Sequence, residues 1–322
     1  MTFPVSGVEV PPWVPLLAGL GVSLFTSMGG VSGGFLLLPF QVSVLGFTSP
    51  AVSPTSLVYN IVAIPSGVYR FIRERRMAWP LTWVIIAGTV PGVCIGVILR
   101  IEYLPDPRAF KFFVGCVLLY VGGRLLYDLR RRARERYAEN KVLAARSAEP
   151  ANEARQATDA SRRNEVPAQF VVRTVSWSWR RVRYQFDGET FSFTTLRVFP
   201  LVLLVGVVSG AYGIGGGAIT APLLVTFFKL PVYTVAGAVL TSTFISSIGG
   251  VIFYRLAAVH YADLGLAIAP DWLLGGLFGL GGAVGMYLGA RCQKHVPPRA
   301  VKLMLSAVLL FLAVRYIGGF WR

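Results

Sequence analysis

Twice in this chain a strongly apolar run is interrupted by glycines at the point where a membrane helix should be continuous. The first break is MGGVSGGFLLLP (residues 28–39), which places Gly29, Gly30, Gly33 and Gly34 within six positions; the second is YGIGGGAITAP (residues 212–222). Gly30, Gly33, Gly34 and Pro39 recur 183 positions later as Gly213, Gly216, Gly217 and Pro222. One glycine inside a helix costs about 0.5–1 kcal/mol relative to alanine, so a cluster ends a helix instead of ornamenting it. The break is built twice, and any fold must accommodate both copies.

The surroundings of the breaks say what solvent they sit in. The chain has 322 residues, 54% hydrophobic and only 14% charged, against roughly 25% charged in ordinary soluble domains. Apolar runs of 17–25 residues read as spanning helices, and six are expected, at residues 53–71, 81–99, 109–127, 241–258, 271–290 and 300–318. Two further runs, residues 13–47 and 196–230, are too long for one upright helix and carry the glycine breaks near their middles. They are expected to be broken segments or hairpins. The first thirteen residues lack the basic start of a signal peptide and read as a short tail.

The formal net charge is +16, but its distribution argues against nucleic acid. Arg70, Arg73, Arg75 and Arg76 follow one apolar run, and Arg130, Arg131, Arg132, Arg134 and Arg136 follow another. Basic clusters at span ends are an orientation signal. Cys94, Cys116 and Cys292 are far apart in apolar segments, a spacing that suits buried small residues and neither a metal site nor a disulfide framework.

Three regions follow: a first transmembrane repeat at residues 13–127, a cytosolic linker at 128–195 and a second repeat at 196–319. The linker starts basic, passes through a polar stretch rich in Ala, Glu, Arg and Asn, and ends in residue types that alternate around Asp187-Gly188. That dipeptide signals a type I′ turn and hence a small β-hairpin; a tryptophan-anchored interfacial coil is the other reading.

The duplication extends past the glycines. Residues 53–57 (SPTSL) match 239–243 (VLTST), Tyr69-Arg70 matches Tyr254-Arg255, and Gly92 and Gly96 match Gly285 and Gly289. Pro105 matches Pro297, and Lys111 and Arg124 match Lys302 and Arg315. Internal duplication of this kind marks secondary transporters. Loop charges orient the copies: residues 70–76 carry four arginines and one glutamate, while 100–111 carry three basic and two acidic residues. In the second copy, 255–271 carry one arginine and two aspartates, and 291–302 carry four basic residues and no acid. Equivalent loops therefore fall on opposite sides by the positive-inside rule, and inverted repeats are expected. Inversion needs an odd number of crossings per copy, which three helices plus a hairpin that enters and returns provide. Gly92, Gly96, Gly285 and Gly289 read instead as sites of close helix packing.

With the paired breaks, the Thr-Ser pairs Thr55-Ser56 and Thr241-Ser242 that follow them, and a duplicated four-segment layout around a polar middle, the chain resembles the TauE/SafE sulfite exporter family over residues 15–127 and 197–318. The resemblance implies an all-α integral membrane protein and a bacterial plasma-membrane permease or exporter for small sulfur-containing anions such as sulfite or organosulfonates. The first break, interrupted by Val31-Ser32, departs from the compact second one, and the long middle linker is a second departure.

The residues point to an anion on their own account. Outside the linker every acid (Glu9, Glu74, Glu102, Asp106, Asp263, Asp271) sits at a span end, whereas cation carriers and proton relays place carboxylates mid-membrane. Exposed amides at the start of a half-helix carry positive partial charge and hold anions without an arginine. The expected substrate cavity is lined by Gly29, Gly30, Gly33, Gly34, Gly213, Gly215, Gly216 and Gly217. Thr55, Ser56, Thr241 and Ser242 are hydroxyl donors toward it, with Asn60 one turn from Ser56. Each such hydroxyl can bond its own i−4 carbonyl instead. No nucleotide-binding loop, nucleophile elbow or zinc signature is found, so neither a catalytic role nor a cofactor nor a metal is expected. The expected partners are a small oxyanion or sulfonate and the lipid bilayer, with a coupling ion and a homo-oligomer left open. An anion channel of the same architecture, or a membrane protein acting through its cytosolic insert, is the alternative.

Overall fold

The computed structural model describes the backbone of residues 1–29, 33–73, 77–147, 172–178, 181–186, 189–292 and 298–321. In the first half the helices are α1 (Trp13–Gly29), α2 (Gly34–Ser43), α3 (Val52–Ala63), α4 (Pro65–Arg73), α5 (Trp79–Glu102) and α6 (Pro107–Ser147). Three antiparallel strands follow, β1 (Arg173–Trp177), β2 (Arg181–Phe186) and β3 (Glu189–Thr194). The second half holds α7 (Thr195–Tyr212), α8 (Gly217–Phe227), α9 (Val232–His260), α10 (Trp272–Cys292) and α11 (Pro298–Phe320).

Six of the described helices contain a stretch long and apolar enough to cross a membrane: α5, α6 as far as Arg131, α7, and most of α9, α10 and α11. Both glycine-bearing runs are broken, as expected, into α1 and α2 and into α7 and α8. The single span expected at residues 53–71 is not continuous. It divides at Ile64 into α3 and α4, because Pro65 has no amide to extend the α3 ladder yet is well suited to the first position of a new helix. Cys116 and Cys292 also differ from expectation: both are exposed on the outside of the bundle, and only Cys94 is partly covered.

Close approaches between helices fix their directions. Gly281, Gly285 and Gly289 of α10 lie against Leu16, Leu20 and Leu24 of α1 in rising order, so the two helices are parallel. Gly88, Gly92 and Gly96 of α5 meet Phe199, Leu203 and Val207 of α7 in the same way. In α3 and α10, Gly275 meets Thr55 and Val58 while Gly279 meets Val62; in α5 and α9, Gly249 and Gly250 meet Val90 and Val93. Both pairs are parallel. By contrast Gly115 of α6 meets Tyr316 and Ile317 of α11 while Gly122 meets Leu309 and Leu310, an antiparallel pair. The α3–α4 unit is likewise antiparallel to α9, with Leu57 against Gly250, Gly67 against Leu240 and Phe71 against Gly237.

These directions settle what the breaks do. Since α1 and α3 both run parallel to α10, the chain must come back to its starting side between them, and α2 is the return leg. Since α7 and α9 both run parallel to α5, α8 is the return leg of the second copy. Gly92, Gly96, Gly285 and Gly289 sit at helix crossings where backbone faces backbone, the small-residue packing expected of membrane helices.

One end of the bundle carries the chain termini and the loops before α3, α6 and α10. There Ala51 N–H donates to the Ala267 carbonyl, Ser6 donates to Asp271 at 2.9–3.1 Å and Tyr261 donates to Glu102. The sheet lies at the other end. Phe186 pairs with Glu189 across residues 187–188, which lie outside the described residues, as does the linker at 148–171. Along β2 the exposed Arg181, Arg183 and Gln185 alternate with the buried Val182, Tyr184 and Phe186, the period of a half-buried strand. That buried row and Phe193 pack on Leu81 and Ile85 of α5, Val198 and Val202 of α7, Leu224 of α8 and Val235 of α9. The Tyr184 hydroxyl is 2.9 Å from Thr234 Oγ1, and burial pushes its pKa up to about 12, so it stays neutral.

Candidate functional site

In the second copy three glycines, Gly213, Gly215 and Gly216, have φ of +93°, +74° and +81°, a region that costs an L-residue roughly 1–2 kcal/mol. They turn the chain from α7 into α8. The carbonyls left free at the end of α7 are taken up by protein: Tyr254 Oη donates to Gly210 O at 2.9 Å, Ser53 Oγ to Ala211 O at 2.9 Å, and Gly213 N–H to Ser209 O at 2.7 Å. A non-helical turn at this depth persists only with such partners.

The first copy is built differently. Gly29 ends α1 and Gly33, with φ of −71°, stands immediately before α2, while Gly30 lies outside the described residues. Gly33 is needed for space: a Cβ there would run into the Tyr59 hydroxyl and lie 3.3 Å from Thr26 Oγ1. Both return legs contain a proline at the same place, Pro39 in α2 and Pro222 in α8. Pro39 leaves the Phe35 carbonyl without its helical donor; Tyr212 Oη from the second copy supplies one at 2.9 Å.

The two breaks meet at Asn60. A Cβ on Gly34 would lie 3.2 Å from Asn60 Oδ1 and 3.5 Å from Ile214 O, and a Cβ on Gly215 would lie 3.0 Å from Asn60 Nδ2 and 3.1 Å from Ser247 Oγ. Asn60 is fully buried, yet neither Oδ1 nor Nδ2 has a hydrogen-bond partner. Ser209 Oγ beside Gly216, Ser247 Oγ beside Gly215, and Gln41 Oε1 are also buried and unpartnered. A buried polar atom left unpaired costs about 1–3 kcal/mol, so the four atoms beside the breaks, two on Asn60 and one each on Ser209 and Ser247, are held at a loss by the surrounding packing, whereas Gln41 belongs to the bond with Ser56. The first amides of α2 and α8, at Gly34 and Gly217, have no acceptor within their own helices; Gly34 lies beside Asn60 and Gly217 beside Thr243.

The structure thus brings Gly34 and Gly215 to Asn60, while Gly216 lies beside Ser209, Gly217 beside Thr243, Gly33 against Tyr59 and Thr26, and Gly213 against Ser53. The four hydroxyls of the Thr-Ser pairs are engaged in fixed bonds. Thr55 Oγ1 donates to Ala51 O at 2.7 Å and accepts from Asp271 N–H at 3.0 Å. Ser56 Oγ donates to Val52 O at 3.1 Å and accepts from Gln41 Nε2 at 2.8 Å. Ser242 Oγ is 3.1 Å from Thr89 Oγ1, and Thr241 Oγ1 points at Met77 Sδ, 3.6 Å away. The hydroxyls that do reach the second break are Thr243, directly after the pair in α9, and Ser246 and Ser247 one turn further on; Ser246 Oγ is 3.4 Å from Gly215 O. Extending the Thr-Ser pairs by one turn, as Ser56 is extended to Asn60, would have found them.

A buried cation also escaped sequence inspection. Arg100 sits inside the last turn of α5, not in the following loop, and is fully buried. Its guanidinium donates to Leu104 O, reaches Thr48 O at 3.4 Å and stacks 3.6 Å above the Phe110 ring, with no carboxylate partner among the described residues. An uncompensated buried charge costs several kcal/mol and leaves the terminal end of the bundle with a positive interior. No group of three or more His, Cys, Asp or Glu side chains suited to a metal occurs among the described residues.

The family model for sulfite exporter TauE/SafE proteins matches residues 15–316. A probable membrane transporter protein of Bacillus subtilis (strain 168), YunE, is 21% identical over 312 residues, covering 94% of this chain and 96% of the relative. A probable membrane transporter protein of Xylella fastidiosa (strain Temecula1) is 28% identical over 125 residues, 37% of this chain and 44% of the relative. No solved structure matches the chain. The match runs through both glycine breaks and the helices that enclose them, and the chain belongs to the sulfite exporter TauE/SafE family, a family of multi-pass membrane transporters.

Proposed function

We propose that this protein is a secondary transporter that carries small sulfur-containing anions, such as sulfite or an organosulfonate, across the bacterial plasma membrane. The observation that carries the proposal is the buried Asn60 amide, unpartnered at both ends, held between Gly34 at the start of α2 and Gly215 in the second break. An oxyanion at this point would accept from Asn60 Nδ2, from Ser247 and from the first amide of α2 at Gly34. Hydrogen bonds to a charged group are worth about 1.5–3 kcal/mol each, enough to offset dehydration of a small anion when several converge. Among the described residues no carboxylate is found beside Asn60, Gly34 or Gly215 to repel it. Uptake of sulfite, sulfate, thiosulfate, sulfoacetate, taurine and chloride into proteoliposomes tests the class. Saturable, mutually competitive uptake of the sulfur anions is expected, and silence toward all of them with uptake of a cation would overturn it.

The two halves act as inverted copies around this point. Support comes from the antiparallel run of α6 against α11 and of α3–α4 against α9, each pair joining equivalent segments. The loop charges place the sheet end in the cytoplasm and the terminal end outside. In a cysteine-free background, Glu9→Cys is expected to label with a membrane-impermeant maleimide from the outside only and Arg183→Cys from the cytoplasm only. Both residues are exposed. Labelling of both from one side would exclude this topology.

A further inference from the structure

At the terminal end of the bundle, at the far end of α2 from its glycine break, lies a pocket of about 370 Å³. Its wall is cationic: Arg108 and Lys111 come from the first turns of α6 and Arg315 from the last turns of α11, and Ser43, Tyr316 and Phe320 complete the lining. None of the three cations has an ion-pair partner among the described residues. The neighbouring acids are committed elsewhere: Asp106 accepts from Ala109 N–H at 2.9 Å, Glu102 from Tyr261 and Asp271 from Ser6. Arg108 and Lys111 moreover sit at the start of a helix, where the dipole disfavours cations. Stability alone does not account for three like charges around one cavity.

We propose that this pocket binds a tetrahedral anionic group, phosphate or sulfonate, presented by a phospholipid headgroup or by a free solute. Three donors of this kind can surround such a group, Arg with a planar fork and Lys as a point charge. Tyr316 ties the pocket to the return leg of the first copy. Tyr316 Oη is 2.5 Å from Ser43 Oγ and 3.3 Å from Pro39 O, so two residues of the return leg α2 are bonded to the helix that carries Arg315. An anion bound here braces the C-terminal end of α2 while the glycines remain free at its other end.

The test uses the purified full chain, with native mass spectrometry for phosphatidylglycerol against phosphatidylcholine of the same acyl chains, and thermal shift for inorganic phosphate and sulfite. An anionic probe is expected to bind in preference to phosphatidylcholine. Arg315→Gln and Lys111→Gln are each expected to weaken it about tenfold or more, the loss of one charge-assisted hydrogen bond. Arg108 and Arg315 are exposed and Lys111 is half-buried, so glutamine is tolerated at each, and the unliganded melting temperature checks that it is. Retention of phosphatidylglycerol without competition by free phosphate identifies a headgroup as the source, whereas competition identifies a solute; both support the site. Unchanged binding in the two variants, or no preference over phosphatidylcholine, would overturn it. Asn60→Ala separates this site from the central one: the pocket's affinity should survive that change, and its loss there would place the anion at the glycine breaks instead.

Discussion

Asn60→Ala is expected to reduce oxyanion uptake by tenfold or more while the unliganded protein stays as stable as the parent, or becomes more so. Most buried polar side chains behave in the opposite way, because removing one strands its partners. Asn60 has no partners to strand: both amide atoms are buried and unpaired, at a cost of about 1–3 kcal/mol each. Alanine removes that cost and leaves a small void whose penalty is of similar size, so the net change is near zero. The ligand, by contrast, loses at least one hydrogen bond to a charged group, about 1.5–3 kcal/mol, which is roughly ten- to a hundredfold in affinity. Sulfite uptake and melting temperature, with and without sulfite, read the two effects separately. Normal uptake by Asn60→Ala would remove the amide from the site, and a large fall in unliganded melting temperature would make it a structural residue.

The architecture was legible in the sequence wherever a signal repeats. Two glycine clusters with the same spacing marked two breaks, and prolines in register, Pro39 and Pro222, mark the two return legs. What could not be read is what depends on neighbours distant in the chain. Pro65 was hidden inside an otherwise uniform apolar run, and only the resulting division into α3 and α4 shows that one proline outweighs the hydropathy around it. The hydroxyl pairs looked like donors because a sequence does not reveal that Asp271 N–H, Gln41 or Thr89 waits beside them. Arg100 looked like a loop residue for a similar reason: its acceptors at Leu104 and Thr48 and the Phe110 ring are assembled only by the fold. Asn60 was singled out for its distance from Ser56, but its isolation between Gly34 and Gly215 is a property of tertiary packing.

The glycines divide into two kinds, and alanine substitution should separate them. At Gly285 a Cβ would press on the backbone of Leu20, with its Cα and carbonyl carbon each 3.0 Å away. Backbone cannot rotate aside, so α1 and α10 must move apart, and overpacking of this kind costs about 1–3 kcal/mol. The atoms that such a Cβ meets all belong to Leu20 and none to Asn60 or a glycine break, so substrate affinity should be nearly unchanged. Gly276, on the same helix, has open space where its Cβ would be; Gly276→Ala is the control and should be neutral or stabilising by about 0.5–1 kcal/mol. At Gly216 the pattern reverses. The nearest atoms to a Cβ there are 3.6 Å away, so nothing collides, but φ is +81° and an alanine would strain the turn by roughly 1–2 kcal/mol. Relieving that strain requires rotating the peptides flanking Gly216, which displaces the adjacent Gly215 from its place beside Asn60. Gly216→Ala is therefore expected to insert and purify as a single species with a modest loss of melting temperature and no oxyanion uptake, while Gly285→Ala loses more stability and keeps its affinity. Uptake by Gly216→Ala at the parental rate, together with collapse of its stability, would mean that the second break serves packing alone and that the anion is held elsewhere.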